Sequence, residues 1–192
     1  MSARLIIMGP QGSGKGTQAA RLAERLGIPT ISTGDIFRAN IKGGTALGLR
    51  AKGFTDAGNL VPDEITNAMV AERLAQPDAA DGFILDGYPR TAAQVDALDD
   101  VLTRAGTSLD AVLELDAPRD ELLERLRKRA EIENRADDTV DAIRRRLEIY
   151  AEQTAPLTTR YAERGLLIVT DARGDLDDNT ERLLAALATR VG

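Results

Sequence analysis

Five short apolar runs punctuate the chain, at Leu5–Met8, Pro29–Ser32, Gly82–Asp86, Ala111–Asp116 and Leu166–Thr170, and apolar residues recur with helical spacing between them. Continuous apolar runs of this length suit strands covered on both faces, so their alternation with helices predicts an α/β fold around a parallel sheet. The helix signals agree. Thr91 stands where it can cap a helix over Ala92–Arg104, Gly106 follows the end of that helix, and Pro118 sits at the start of Arg119–Arg129. In an open sheet of this kind ligands lie outside the carboxyl ends of the strands, and Gly9, Thr33, Gly87 and Asp171 all fall at such ends.

Two stretches depart from the alternation. From Gly34 to about Val61 the chain has turn chemistry at Gly43-Gly44 and Gly58-Asn59 with short helical pieces between, which predicts a small lobe inserted after the second strand. Around Arg129–Asp138 the helical pattern breaks at Glu133-Asn134-Arg135-Ala136 and then restarts. On the new helix Val140, Ile143, Leu147 and Ala151 line one stripe; Arg145 points nearly opposite it, into solvent, and Arg144 and Arg146 flank it.

Composition narrows the chemistry. With 192 residues, 43% apolar and 29% charged, the chain is long enough for one well-buried domain and has no disordered tract. It contains no Cys and no His, so disulfides, thiolate metal sites and imidazole bases are excluded, and catalysis must rest on Lys, Arg and carboxylates. No stretch approaches the roughly 20 apolar residues of a membrane span, and the apolar start is far short of a signal segment, so the expected location is the cytoplasm. A formal charge of −6 argues against general affinity for nucleic acid.

The most informative motif is Gly9-Pro10-Gln11-Gly12-Ser13-Gly14-Lys15-Gly16-Thr17, placed between an apolar strand and a helix. Its glycines let backbone N–H groups converge on phosphate oxygens, the helix offers its positive end, and Lys15 supplies a compact cation. Gly16 stands where such loops usually place a hydroxyl for Mg²⁺, and the hydroxyl is delayed to Thr17. A second concentration of charge lies between Arg125 and Arg146. Eight basic residues (Arg125, Arg127, Lys128, Arg129, Arg135, Arg144, Arg145, Arg146) stand there against five acidic ones, a focused anion site inside an acidic chain. Arginine suits that task because its planar fork holds phosphate oxygens bidentately and keeps its charge. Arg38 and Arg90, just beyond strand ends, face the same crevice.

Four motifs in order now coincide: GPQGSGKGTQ; Ser32-Thr33-Gly34-Asp35 with Arg38; Asp86-Gly87-Tyr88-Pro89-Arg90 with Gln94; and Arg135-Ala136-Asp137-Asp138 followed by Arg144-Arg145-Arg146-Leu147. Together with the closing Tyr150–Leu157 segment they resemble the adenylate kinase family over the whole chain. That resemblance implies a P-loop NTPase fold, with a five-stranded parallel sheet flanked by helices in a single domain over 1–192. An inserted AMP-binding lobe would occupy about 32–61, and a short lid about 128–138. It also implies reversible, Mg²⁺-dependent transfer of the γ-phosphoryl group of ATP to AMP, giving two ADP.

Carried over by motif, Gly12, Ser13, Gly14, Lys15, Gly16 and Thr17 would wrap the ATP phosphates, with Arg129 and the backbone of Gly174 also on ATP. Thr33, Arg38, the backbone of Asn59, Leu60 and Val61, then Gly87, Tyr88, Pro89, Arg90 and Gln94 would hold AMP, and Arg135 and Arg146 would clamp phosphates from the lid side. Lys15, Arg90, Arg129, Arg135 and Arg146 are the expected catalytic cations. Asp86 would orient Mg²⁺ through water, with no direct protein ligand, and Tyr88-Pro89 resembles the family's cis peptide. Only Ala130–Asn134 separate Arg129 from Arg135, which looks like the short-lid form without zinc. The implied partners are ATP, AMP and ADP, with no nucleic acid or membrane, and the implied state is a monomer. A UMP/CMP kinase is the nearest alternative, but such relatives tend to carry Ala and Asn in place of Thr33 and Gln94. A nucleotide-binding regulator without turnover is the other.

Overall fold

A computed structural model describes residues 3–118, 120–126 and 139–190. Five strands, β1 (Ala3–Met8), β2 (Thr30–Ser32), β3 (Gly82–Asp86), β4 (Ala111–Asp116) and β5 (Leu167–Asp171), form one sheet in the order β2-β3-β1-β4-β5, with every pairing parallel. β1 is the centre. Its side chains alternate between two cores because successive strand residues point to opposite faces. Leu5 and Ile7 pack with Leu22, Ile84, Leu113 and Leu183 on one side, and Ile6 and Met8 pack with Leu85, Leu98, Val112 and Tyr161 on the other. A strand buried on both faces reads as a continuous apolar run, which is why the runs stand out in the sequence.

The helices that build these two faces are α1 (Lys15–Leu26), α4 (Asp63–Leu74), α5 (Ala92–Arg104), α8 (Leu157–Glu163) and α9 (Leu176–Ala188). Between them α2 (Thr33–Lys42) and α3 (Ala46–Asp56) form the inserted lobe, a helical segment α6 covers 120–126, and α7 (Val140–Ile149) runs on into a π-helical turn at Tyr150–Thr154. Helix starts such as those of α5 and α2 are capped by side chains. Thr91 Oγ1 accepts from the Gln94 N–H at 3.2 Å to start α5, and Ser32 Oγ accepts from the Asp35 N–H at 3.2 Å to start α2. Gln18, buried under α9, is fully engaged: its Nε2 donates to the Leu176 carbonyl at 3.0 Å and its Oε1 accepts from Thr180 at 2.8 Å. That exchange ties the helix of the phosphate loop to the C-terminal helix.

Leu5 is wholly buried at the middle of the sheet. Truncation there leaves a cavity as well as losing transfer energy, so Leu5→Ala is expected to destabilise the fold by about 2–5 kcal/mol. Denaturant unfolding with an unchanged m-value measures this, and a loss under about 1 kcal/mol would show that the sheet centre is not close-packed.

Candidate active site

A cavity of about 920 Å³ opens at the carboxyl edge of the sheet, between the loop after β1, the inserted lobe, the loop after β3 and the end of α7. The β1 loop forms one end. Gly14 precedes α1 in a left-handed conformation and caps it with no side chain, which leaves the first N–H groups of the helix to an incoming anion. Lys15 Nζ lies over the loop, donating to the Pro10 carbonyl at 2.9 Å. Gly12, with φ of +88°, is pressed against α6: a Cβ there would meet the Leu122 carbonyl at 2.9 Å and Leu126 at 3.0 Å. Any side chain at residue 12 would push the loop off its support.

The other end gathers three arginines. Arg38 comes from α2, Arg90 from the loop after β3 and Arg146 from α7. Burial pushes the Arg90 guanidinium below its usual value; Asp86 opposes this, while Arg146 and Arg38 add to it by repulsion. Arg38 also pairs with Asp35 at 2.5 Å, and three guanidinium groups gathered at one end of a cavity suit an anion such as phosphate. Arg90 Nε donates to the Gly87 carbonyl at 2.8 Å, and that carbonyl also accepts from Thr33 Oγ1 at 3.0 Å, which joins the loop after β3 to the first residue of α2. Thr154 Oγ1 donates to the Arg90 carbonyl at 2.9 Å and holds the same loop from the π-helical turn.

The inserted lobe closes over this end. Gly58 has φ of +73°, and a Cβ on it would stand 2.5 Å from the Ala142 carbonyl, so the lobe approaches α7 at a point where only glycine fits. Beside that contact Arg146 donates to the Thr55 carbonyl at 3.1 Å and Arg145 Nε to Asn59 Oδ1 at 3.1 Å. Asp86 lies at the junction of the two ends. Its carboxylate is 3.7 Å from where a Cβ of residue 16 would be, next to the loop.

Comparison with known proteins decides what this arrangement is. The family model for adenylate kinase matches residues 7–166, and curated relatives with that name match over nearly the whole chain. The chain belongs to the adenylate kinase family. The adenylate kinase of Micrococcus luteus is 58% identical over 184 residues, 96% of this chain and 90% of that protein. That of Bifidobacterium longum is 59% identical over 184 residues, covering 96% and 99%, and that of Thermobifida fusca 54% over 188 residues, covering 98% and 100%. As an adenylate kinase the chain is an enzyme, a transferase that passes a phosphoryl group from ATP to AMP.

Most residues expected at the site of this adenylate kinase border the cavity, including Lys15, Thr17, Thr33, Arg38, Leu60, Tyr88, Gln94, Arg146 and Gly174. Tyr88-Pro89 is cis, as the resemblance implies. Arg129, Arg135 and the lid at 128–138 lie outside the described residues. Ser13 differs from expectation in detail: its side chain is buried, and its N–H is used inside the loop, donating to the Pro10 carbonyl at 3.2 Å.

Two expectations need correction. Arg145 is half-exposed but not simply solvated, since it bonds Asn59 and pairs with Glu148 at 3.4 Å. The stripe drawn through Val140 is also out of phase: Val140 is 74% exposed, whereas Ala142 and Ile149 are buried and Arg146 shares their side. The cause is the same for both. This helix faces a polar cavity and a lobe from elsewhere in the chain, so its inward side carries Arg146, which hydrophobic periodicity placed at the flank of the stripe.

Two further residues were not expected at the site. Arg125, from α6, borders the cavity and is held by the Ala172 carbonyl at 2.8 Å and Glu121 at 2.6 Å; only its place in the basic cluster hinted at this. Asp63 carried no motif at all. It accepts from Gln94 Nε2 at 2.7 Å and from Thr91 Oγ1 at 2.9 Å. Burial, and then the negative charge of Asp63, hold the nearby Tyr88 phenol above its usual value, so Tyr88 stays a neutral donor, to Asn67 Oδ1 at 2.8 Å.

Proposed function

We propose that this adenylate kinase holds its two nucleotides head to head in the one cavity, ATP at the loop end and AMP at the arginine end. The observation that carries the reading is the opposition of Lys15 to Arg38, Arg90 and Arg146 across a single space. Gly12 to Thr17 wrap the ATP phosphates, with Lys15 reaching the transferred group; Arg125, and Arg129 from the lid, add charge there, and the Gly174 backbone meets the adenine. Thr33, Arg38, the Asn59–Val61 backbone, Gly87 to Arg90 and Gln94 hold AMP. Arg135 and Arg146 clamp the phosphates between. In domain terms the lobe at about 32–61 and the short lid at about 128–138 are the covers of one core, and the chain works as a cytoplasmic monomer. No helix among the described residues is long and apolar enough to cross a membrane.

The chemistry fits a chain without His. A phosphate oxygen of AMP is already anionic near neutral pH, so it attacks without a strong base, and the protein's contribution is alignment and neutralisation of charge. The cations at Lys15, Arg90 and Arg146 come from three different elements and meet the triphosphate and monophosphate from opposite sides. Members of the family use Mg²⁺ with ATP, and the donor set suits an ion held chiefly by the nucleotide. Among the described residues no group of three or more acidic side chains could hold a metal ion alone, while Asp86 presents one carboxylate beside the loop. Mg²⁺ keeps most of its waters and takes one or two carboxylates plus phosphates, so Asp86 would hold it through water, and when bound it offsets phosphate charge.

Coupled measurement of ADP formation with AMP, UMP, CMP and GMP tests the reading. AMP is expected to exceed each of the others in kcat/KM by at least about tenfold, because the site presents polar groups that a wrong base leaves unpaired. A pyrimidine acceptor preferred by a similar factor would overturn it.

A further inference from the structure

Gln94 borders the acceptor end of the cavity although its side chain is buried, and its amide is gripped at both ends. Oε1 accepts from the Arg90 backbone N–H at 2.7 Å, and Nε2 donates to Asp63 Oδ1 at 2.7 Å. The two ends of a glutamine amide are almost alike in shape and opposite in hydrogen bonding. A backbone N–H can only donate and a carboxylate can only accept. Turning the amide over would set NH₂ against N–H and oxygen against carboxylate, two repulsive contacts in a buried place.

Asp63 is itself fixed. It is the first residue of α4, and its Oδ2 accepts from Thr91 Oγ1 at 2.9 Å, the hydroxyl that caps α5 by accepting from the Gln94 N–H at 3.2 Å. The ring Asp63–Thr91–Gln94 therefore closes on itself, and it joins the end of the lobe to the helix that carries Gln94.

We infer that Asp63 is a positioning residue that sets the polarity of the Gln94 amide and thereby makes the acceptor site select 6-amino purines over 6-oxo purines. Each end of the amide retains one further valence, a second N–H on Nε2 and a second lone pair on Oε1. Adenine presents an acceptor at N1 beside a donor at its 6-amino group, the complement of this amide. Hypoxanthine has nearly the same size and shape but presents N1–H beside a 6-oxo acceptor, the complement of the amide turned over. Steric exclusion cannot separate the two bases; a locked amide can. The inference rests on the proposal that Gln94 faces the acceptor base.

The test compares kcat/KM for AMP and for IMP, with ATP as donor, in the wild type and in Asp63→Leu, Asp63→Asn and Gln94→Leu. Asp63→Leu removes the acceptor at similar volume. The AMP-over-IMP preference is expected to fall at least about tenfold, through a raised KM for AMP and a lowered KM for IMP, with KM for ATP unchanged within about twofold. Asp63→Asn keeps shape and packing but offers an amide that can turn its NH₂ toward Gln94, and should reduce the preference at least about threefold. If the leucine variant does not fold, the asparagine variant carries the test alone. An unchanged preference in the folded variants would overturn the inference, as would losses shared equally by ATP and AMP together with a lowered melting temperature. Gln94→Leu separates the two layers: if it leaves the AMP-over-IMP preference intact, the placement of Gln94 at the base has failed, whatever Asp63 does.

Discussion

Replacing Lys15 by Met should lower kcat by about three orders of magnitude while the protein stays folded. The loop keeps its shape for reasons independent of the ammonium: Gly12 is seated on α6, the Ser13 N–H closes the turn on Pro10, and α1 is anchored through Gln18 to α9. The bond from the ammonium to the Pro10 carbonyl is lost, and methionine fills the space of the stem. On the proposed reading, what disappears is the cation placed where charge moves from one phosphate to another, an interaction that strengthens in the transition state. The loss should therefore fall on kcat more than on KM for ATP. Steady-state ADP formation measures it, with the melting temperature as the control for folding. Turnover surviving within about tenfold would remove Lys15 from the chemistry and reopen the reading of the chain as a binding protein.

Arg90→Met should lose about two to three orders of magnitude in kcat and cost little in stability without nucleotide. Arg90 is half-buried; burial disfavours its charge, Asp86 offsets part of this, and Arg146 and Arg38 repel it. A group held against such terms destabilises the free protein and is kept for what it does with a ligand bound. Its removal leaves the Gly87 carbonyl with Thr33 as donor, so the loop after β3 keeps a partner. The melting temperature of the free variant should stay within a few degrees of the parent or rise, whereas the stabilisation that AMP confers on the parent should shrink strongly. A large drop in free-protein stability with modest loss of kcat would make Arg90 a structural residue.

The sheet was legible in the sequence because its central strands are buried on both faces: β3 and β4 have the limits that the apolar runs predict, and α5 starts and stops where Thr91 and Arg104 indicate. The phosphate loop was legible because its chemistry is local in sequence. The turn glycines at 43–44 and 58 follow α2 and α3, which the sequence had marked only as short helical pieces, and Ser32 caps the first of them. What escaped depended on contacts between distant segments. Asp63 reaches Gln94 across 31 positions, and Arg145 reaches Asn59 across 86, and neither separation leaves a mark in hydrophobic period or spacing. The phase of α7 was misread for a related physical reason. Periodicity assumes that the inward side of a helix is apolar, and α7 turns the half-buried Arg146 toward the cavity instead.

The central claim is that a single cavity holds both nucleotides with their phosphates facing each other. A dinucleotide with two adenosines joined by a chain of five phosphates would have to occupy both ends at once. Its inhibition pattern is the most direct measurement. The account predicts competitive inhibition against ATP and against AMP, with one molecule bound per chain; competition with only one of the substrates, or binding of two molecules per chain, would contradict it.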